Sequence, residues 1–491
     1  MSREADSALQ LRILQVGFVL AFIAAVLYAV RGMMFGSYRT TKLVAGSMMV
    51  LAGVLAADKN YLLICPILSM YPLKIPGTPF NGAELGAILC VGICFVRVAL
   101  RKERLSSFRP QVLLALPYFL WVALAFLRNP VGLAMFGSSA IGGRYYFDIT
   151  LGFIVLMTFS RFSLSERQCK ILFYCLFAMS FLQVYTTWRS MRGGEVMDEM
   201  ALLFGNRAQK YYLDPVVFAV LLLLCRHSLS DILSTPWRFL FVGALTGCVV
   251  YSGRRTYTGY AFLAPFFLMF LRGKERVVTL LCAGIGLVFL LLVAAGQGRV
   301  YNLPRSIQRA LSPLPGKWNV EFENLGMHDL FRDEMKRRAK EEIAESPFFG
   351  HGGLQLELEE AMWVNARAKR AGTRATGLGS MQYSRNWHNK FWGMSADFGL
   401  PAGIFWYLFS IGAGLFIWRH RFFAREGDYR SAMILYYSLM LFYDLVFTMG
   451  GSASTPFLRW PQFAFLLALL NPASEPSDTA PGLVASDVRP V

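Results

Sequence analysis

Residues 277–295 read VVTLLCAGIGLVFLLLVAA, nineteen consecutive positions without a charge, bounded by Arg276 and Gly296. As a helix rising 1.5 Å per residue, such a run nearly covers the hydrocarbon core of a bilayer, about 30 Å. Its apolar positions are continuous rather than alternating, and in hydrocarbon only helices or closed barrels satisfy their own backbone polar groups. The run predicts a membrane helix, and it is repeated along the chain. Comparable runs lie at 13–30, 43–57, 84–99, 111–127, 145–160, 171–187, 212–225, 238–252, 258–271, 398–417, 431–449 and 457–471. The segment 61–72, YLLICPILSMYP, is apolar but short and carries two prolines, which makes it either a re-entrant piece or one more span. The fold class is therefore all-α, a polytopic transmembrane bundle of 12–14 helices.

The composition agrees. Of 491 residues 55% are hydrophobic and only 16% charged, with a mean hydropathy of +0.44, whereas a soluble domain is about a quarter charged. Disorder, a collagen-like repeat and a small disulfide scaffold are excluded by the same numbers. The formal net charge of +18 would suggest nucleic acid in a soluble protein, but here much of the excess sits in short loops between apolar runs, the positive-inside pattern; no nucleic-acid partner is predicted. Nearly all of the eight cysteines fall within or at the ends of apolar runs and serve as small packing residues, without metal-ligand context.

Basic connections at 101–104, 161–170, 226–238, 272–276 and 419–421 are predicted on the cytoplasmic side. Alternation then places 128–144, 188–211, 253–257, 296–397 and 450–456 outside. Four regions result: N-terminal transmembrane helices over 1–295, a long periplasmic loop over 296–397, C-terminal transmembrane helices over 398–471 and a disordered, Pro/Ser-rich cytoplasmic tail over 472–491. The long loop contains a helix around 326–346 and is too small to stand alone comfortably, so it packs as a lid over the helix ends. The first span acts as an uncleaved anchor.

Ionisable residues inside or bordering membrane spans are costly and mark candidate sites. On this topology Glu84, Arg144, Asp148, Arg207, Lys210, Asp214, Arg254, Arg255, His388, Asp397, Asp444 and Arg459 gather on the external side, a mixture suited to holding an anionic headgroup. Arg254 and Arg255 lie in YSGRRTYTGY, a connection of a few residues between two apolar helices. Two readings fit them: guanidinium groups that grip a phosphate bidentately, or arginines that snorkel to the interface. His388, in SRNWHNKFWGMSADFGLPAGIFW, also has two: a base able to take a proton from a hydroxyl near neutral pH, or an interfacial ring among Trp387, Phe391 and Trp392 of an aromatic belt. His227 and His420 lie in basic loops, and His328 and His351 lack ligand spacing, so no metal site is predicted. The sequence has no Walker A, GxSxG or strand-linked GxGxxG pattern, which argues against ATP-driven transport, serine hydrolysis and dinucleotide chemistry.

Four pieces in order along the chain resemble the bacterial O-antigen ligase and O-antigen polymerase family of membrane glycosyltransferases: GNRAQKYYLDPVVFAVLLLL at 205–224, the SGRRT turn, the loop ending IAESPFFGHGG at 343–353, and HNKFWGMSADFGLPAG at 388–403. The last is similar to the family's His-Asn helix start followed by an acidic residue and two glycines, here Asp397, Gly399 and Gly403. The resemblance covers chiefly 200–410 and implies transfer of a glycan from an undecaprenyl pyrophosphate carrier to an acceptor hydroxyl at the periplasmic face, without nucleotide sugar, metal or other cofactor. It implies His388 as the base and Arg255 as the arginine of the family's Ser-Arg turn, both catalytic. Arg254 is the alternative to Arg255, because this chain reads Arg-Arg there. Arg144, in GGRYYFD, resembles another external arginine and joins Arg254, Arg207, Lys210, Asn389 and Asp397 as substrate-binding candidates. GNRAQKYY departs from the family's Asn-Pro-Asn at that point.

The expected protein is thus a multi-pass enzyme of the bacterial inner membrane, its partners the lipid-linked glycan, a lipid A-core acceptor and membrane lipid. The polymerase, which extends a second lipid-linked repeat, shares these motifs; a single large external loop leans towards the ligase. A transporter of the same glycan would place charges through the membrane depth, where this sequence is nearly all apolar.

Overall fold

The computed structural model describes residues 59–70, 81–100, 109–128, 144–192, 213–252, 255–272, 276–304, 307–308, 311, 314–318, 326–352, 390–420, 428–447 and 456–471. Among them every regular element is helical. In chain order the α-helices are α1 Ile64–Ser69, α2 Gly82–Ala99, α3 Leu116–Arg128, α4 Arg144–Phe159, α5 Glu166–Arg192, α6 Val216–Arg226, α7 Leu229–Ser234, α8 Pro236–Ser252, α9 Arg255–Arg272, α10 Arg276–Gly296, α11 Gly326–Glu345, α12 Lys390–Phe398, α13 Leu400–Arg419, α14 Tyr429–Phe447 and α15 Pro456–Leu469. The apolar runs predicted at 13–30 and 43–57 and the tail 472–491 lie outside the described residues.

Four of these helices are long and apolar enough to cross a membrane: α2, α5 over Glu166–Tyr185, α10 and α13. The chain is an all-α, multi-pass membrane protein. The solvent that α10 demands is plain from its surface: of its residues only Thr279 and Ala294 are buried, and Ile285 and Phe289 are 69% and 63% exposed. A helix apolar on every side with so little protein against it belongs in hydrocarbon.

Of the segment 61–72, residues 61–70 are described. A 3-10 turn, Lys59–Leu63, runs into the six-residue α1, a described length of about 19 Å at 2.0 and 1.5 Å rise per residue, well short of a span. It is buried against α2, where Gly86 permits the approach; a Cβ there would stand 2.9 Å from Leu68 Cβ and 3.2 Å from Cys65 Cα. Glu84, one of the external ionisable set, closes the start of α2 in a capping box: its backbone N–H donates to Asn81 Oδ1 (2.9 Å) and its carboxylate accepts from Asn81 N (2.7 Å).

Helix direction follows from paired rings. Phe153 meets Trp460 and Phe159 meets Phe465, at 5.6 and 5.7 Å between centroids, so α4 and α15 run parallel. Tyr437 against Phe465 and Asp444 against Arg459 make α14 antiparallel to α15. Tyr260 stacks on Tyr443 at 4.2 Å and Phe267 on Phe442 at 3.8 Å, with α9 antiparallel to α14. The first residues of α4, α9 and α15 and the last of α14 therefore share one end of the bundle. The opposite end carries the basic connections. There Glu166 accepts from the N–H groups of Tyr429 (2.7 Å) and Arg430 (3.0 Å), satisfying donors at the start of α14. Arg272 donates to the carbonyls of Leu224 (2.9 Å) and Cys225 (2.7 Å), closing the end of α6.

A short buried helix held by a glycine turn

Nine residues of helix, α12, come to about 13 Å, far too short to cross a bilayer. Gly399 then reverses the chain with φ +87°, and α13 runs back along α12. Gly403 makes the fold-back close, since a Cβ on it would lie 2.1 Å from Ser395 Oγ, and Phe391 and Tyr407 meet one turn further along. The pair is an antiparallel helical hairpin. Although 390–397 falls within the stretch 296–397, residues Lys390 and Gly393 to Phe398 are all buried; the end of that stretch is packed inside the bundle.

The turn is latched by the segment following α11. His351 N–H donates to Ala396 O (3.1 Å), Gly352 N–H to Asp397 O (2.7 Å) and Leu400 N–H to Pro347 O (2.8 Å). The Trp121 indole donates to Phe398 O at 3.0 Å. The donors from His351, Gly352 and Trp121 satisfy carbonyls at the end of α12 that no further helical turn can reach, and Pro347 O takes the Leu400 N–H at the start of α13. Contact is close enough to exclude side chains at two positions: a Cβ on Gly350 would meet Ala396 O at 2.6 Å, and one on Gly399 would meet Phe348 O at 1.9 Å. Gly399→Ala adds a positive-φ penalty to that collision and is expected to cost about 2–4 kcal/mol. Thermal unfolding of the purified protein in detergent checks this; a variant melting with the wild type would show the turn to be slack.

At its other end α12 begins in a buried ionic cluster. Lys390 Nζ lies 3.2 and 3.3 Å from the two carboxylate oxygens of Asp444 on α14. Arg459 Nε on α15 donates to Asp444 Oδ1 at 3.0 Å and its terminal nitrogen to Gln462 Oε1 at 2.7 Å. Lys390, Asp444 and Arg459 are 5%, 2% and 6% exposed. The ammonium also sits 3.9 Å from the centroid of the Trp406 ring on α13, in cation–π contact. Trp406 belongs to an aromatic layer with Tyr118 and Trp460, and the Tyr118 hydroxyl reaches Met394 Sδ on α12 at 2.9 Å.

The residues singled out from the sequence are placed as follows. Asp444 and Arg459 are brought together, and Lys390, not singled out, joins them. Asp397 is buried two turns along α12 from Lys390, on the same helix face, at the latch rather than in the cluster. Arg144 and Arg255 are the first residues of α4 and α9, in the half of the bundle that holds the cluster, with Tyr146 against Phe398 setting the start of α4 beside the latch end of α12; their side chains, and Arg254, Arg207, Lys210, His388 and Asn389, lie outside the described residues. His351 is engaged within the latch segment, its Nε2 3.1 Å from Glu342 O.

Residues 239–407 match the O-antigen ligase family. The match runs from α8 to the first turns of α13 and includes Arg254, Arg255, the latch and the whole of α12. No curated protein matches the chain at a significant level.

Proposed function

From the premise that this multi-pass helical protein carries an O-antigen ligase domain over residues 239–407, we propose that it is a glycosyltransferase of the bacterial inner membrane. It moves a glycan from undecaprenyl pyrophosphate to a hydroxyl of lipid A-core at the periplasmic face. The observation that carries the reading is the convergence in one half of the bundle. The helix that follows His388 and Asn389 begins at the buried Lys390–Asp444–Arg459 cluster, and α4 and α9 begin in that same half of the bundle with Arg144 and Arg255, α4 beside the latch end of α12.

In this reading the acceptor oxygen loses its proton to His388 as it attacks the anomeric carbon, and the bond from that carbon to the pyrophosphate oxygen breaks. Negative charge grows on the leaving oxygen, where guanidinium groups of Arg255, Arg254 and Arg144 stabilise it. Arg207, Lys210, Asn389 and Asp397 complete the substrate contacts.

The test is transfer by purified protein given a lipid-pyrophosphate-linked glycan with and without lipid A-core. Glycosylated lipid A-core is the expected product. Longer lipid-linked chains formed without lipid A-core would replace the ligase by a polymerase, and no new glycosidic bond with either acceptor would overturn the enzyme.

A further inference from the structure

We propose that Lys390 is a positioning residue: by anchoring the first turn of α12 to two helices directly and to a third through Asp444, it fixes where the chain delivers His388. The inference rests on the proposed role of His388 and adds a residue that role does not require. Lys390 stands two positions after His388, and its Nζ is where α14, through Asp444, and α13, through the Trp406 face, converge, with α15 joined through Arg459.

A lysine is an odd choice if adhesion alone were wanted. Burying an ammonium and a carboxylate gains little net stability over a well-packed apolar pair of similar volume. What the ionic contact supplies is direction: the ammonium must point at one carboxylate, and the helix start must follow. The other end of α12 is already set by the latch and the Gly403 contact. With one end clamped, a loose first turn would move His388 sideways relative to the rest of the bundle, and misplacement by about 1 Å can cost on the order of 10²-fold in rate. Lys390 removes that freedom.

Two variants and two readouts test the proposal in the full-length protein. Lys390→Met leaves Asp444 and Arg459 as a matched pair among the described residues and keeps the side-chain length; Lys390→Arg keeps the charge. Lys390→Met is expected to lower kcat on the order of 10–100-fold with the KM for the lipid-linked donor little changed, and Lys390→Arg to recover most of the loss. Independently of activity, the rate of carbethoxylation of His388 by diethyl pyrocarbonate, read peptide by peptide, is expected to rise several-fold in Lys390→Met while those of His227 and His420 stay the same. Unchanged kcat with unchanged His388 reactivity would overturn the proposal, as would activity lost only in proportion to unfolded protein. A wild type inactive on every acceptor would sink the proposed reaction alone; the reactivity of His388 would still decide the anchor, unchanged reactivity refuting it and faster reaction in Lys390→Met supporting it.

Discussion

Alanine at position 388 is expected to reduce glycan transfer on the order of 10²–10⁴-fold, the range a positioned general base supplies, while donor binding and the melting temperature stay close to those of the wild type. A base that accepts the acceptor's proton acts only as the bond forms, so its removal lowers kcat and kcat/KM together. Arg255→Ala should behave differently. An arginine on the pyrophosphate contacts it in the bound state and more strongly as charge develops, so both donor affinity and rate should fall, the rate on the order of 10²–10³-fold. The pH dependence carries the same logic with its sign fixed: the base works unprotonated, so transfer should decline as falling pH protonates it. Turnover of His388→Ala within about tenfold of wild type, below the smallest expected loss, would return the ring to the aromatic belt. The assay is initial-rate transfer at matched folded protein.

Why the spans could be read from sequence and the cluster could not is a matter of how local each signal is. The run 277–295 became α10, Arg276–Gly296, and 145–160 became α4, Arg144–Phe159, because membrane thickness dictates the length of apolar helix and charged residues mark its ends. Helix α11, Gly326–Glu345, followed the charged pattern around 326–346 just as closely. Helix α12 had no such signal. Its nine residues contain a lysine and an aspartate, and it is stabilised by partners elsewhere in the chain: Gly403, the latch at 346–352, and Asp444, 54 positions away. Asp444 and Arg459 were legible as ionisable residues at one membrane face, since cost alone marks them. That they share a carboxylate contact with Lys390 depends on the antiparallel course of α14 and α15, which composition does not encode. Asn81 and Glu84 make the opposite case: the spacing of a capping box is visible in NGAE, yet Glu84 first drew notice as a charge at a membrane face.

Asp444→Asn should be among the most destabilising single substitutions in the described part of the molecule, at about 3–5 kcal/mol. The shape barely changes, so the cost is electrostatic. Among the described residues Lys390 and Arg459 lose the carboxylate between them, so the buried ammonium must either repel the buried guanidinium or give up its proton. Lys390→Met is expected to cost much less, because Arg459 keeps Asp444 at 3.0 Å and Gln462 at 2.7 Å and the methionine can lie against Trp406. The double variant separates this account from simple loss of hydrogen bonds. If repulsion between the two cations dominates, removing the lysine relieves part of the damage done by Asp444→Asn, and the pair should be less than additive by about 0.5–3 kcal/mol. If the cost of Asp444→Asn were only its own lost contacts, the two effects would sum. Unfolding midpoints in detergent, followed by the fluorescence of the buried Trp406 and Trp460 layer, measure all three variants on one scale. An Asp444→Asn protein within about 0.5 kcal/mol of wild type, the range of an ordinary surface change, would mean that water or another anion already shields the cluster, and the anchor argued for Lys390 would lose its electrostatic basis.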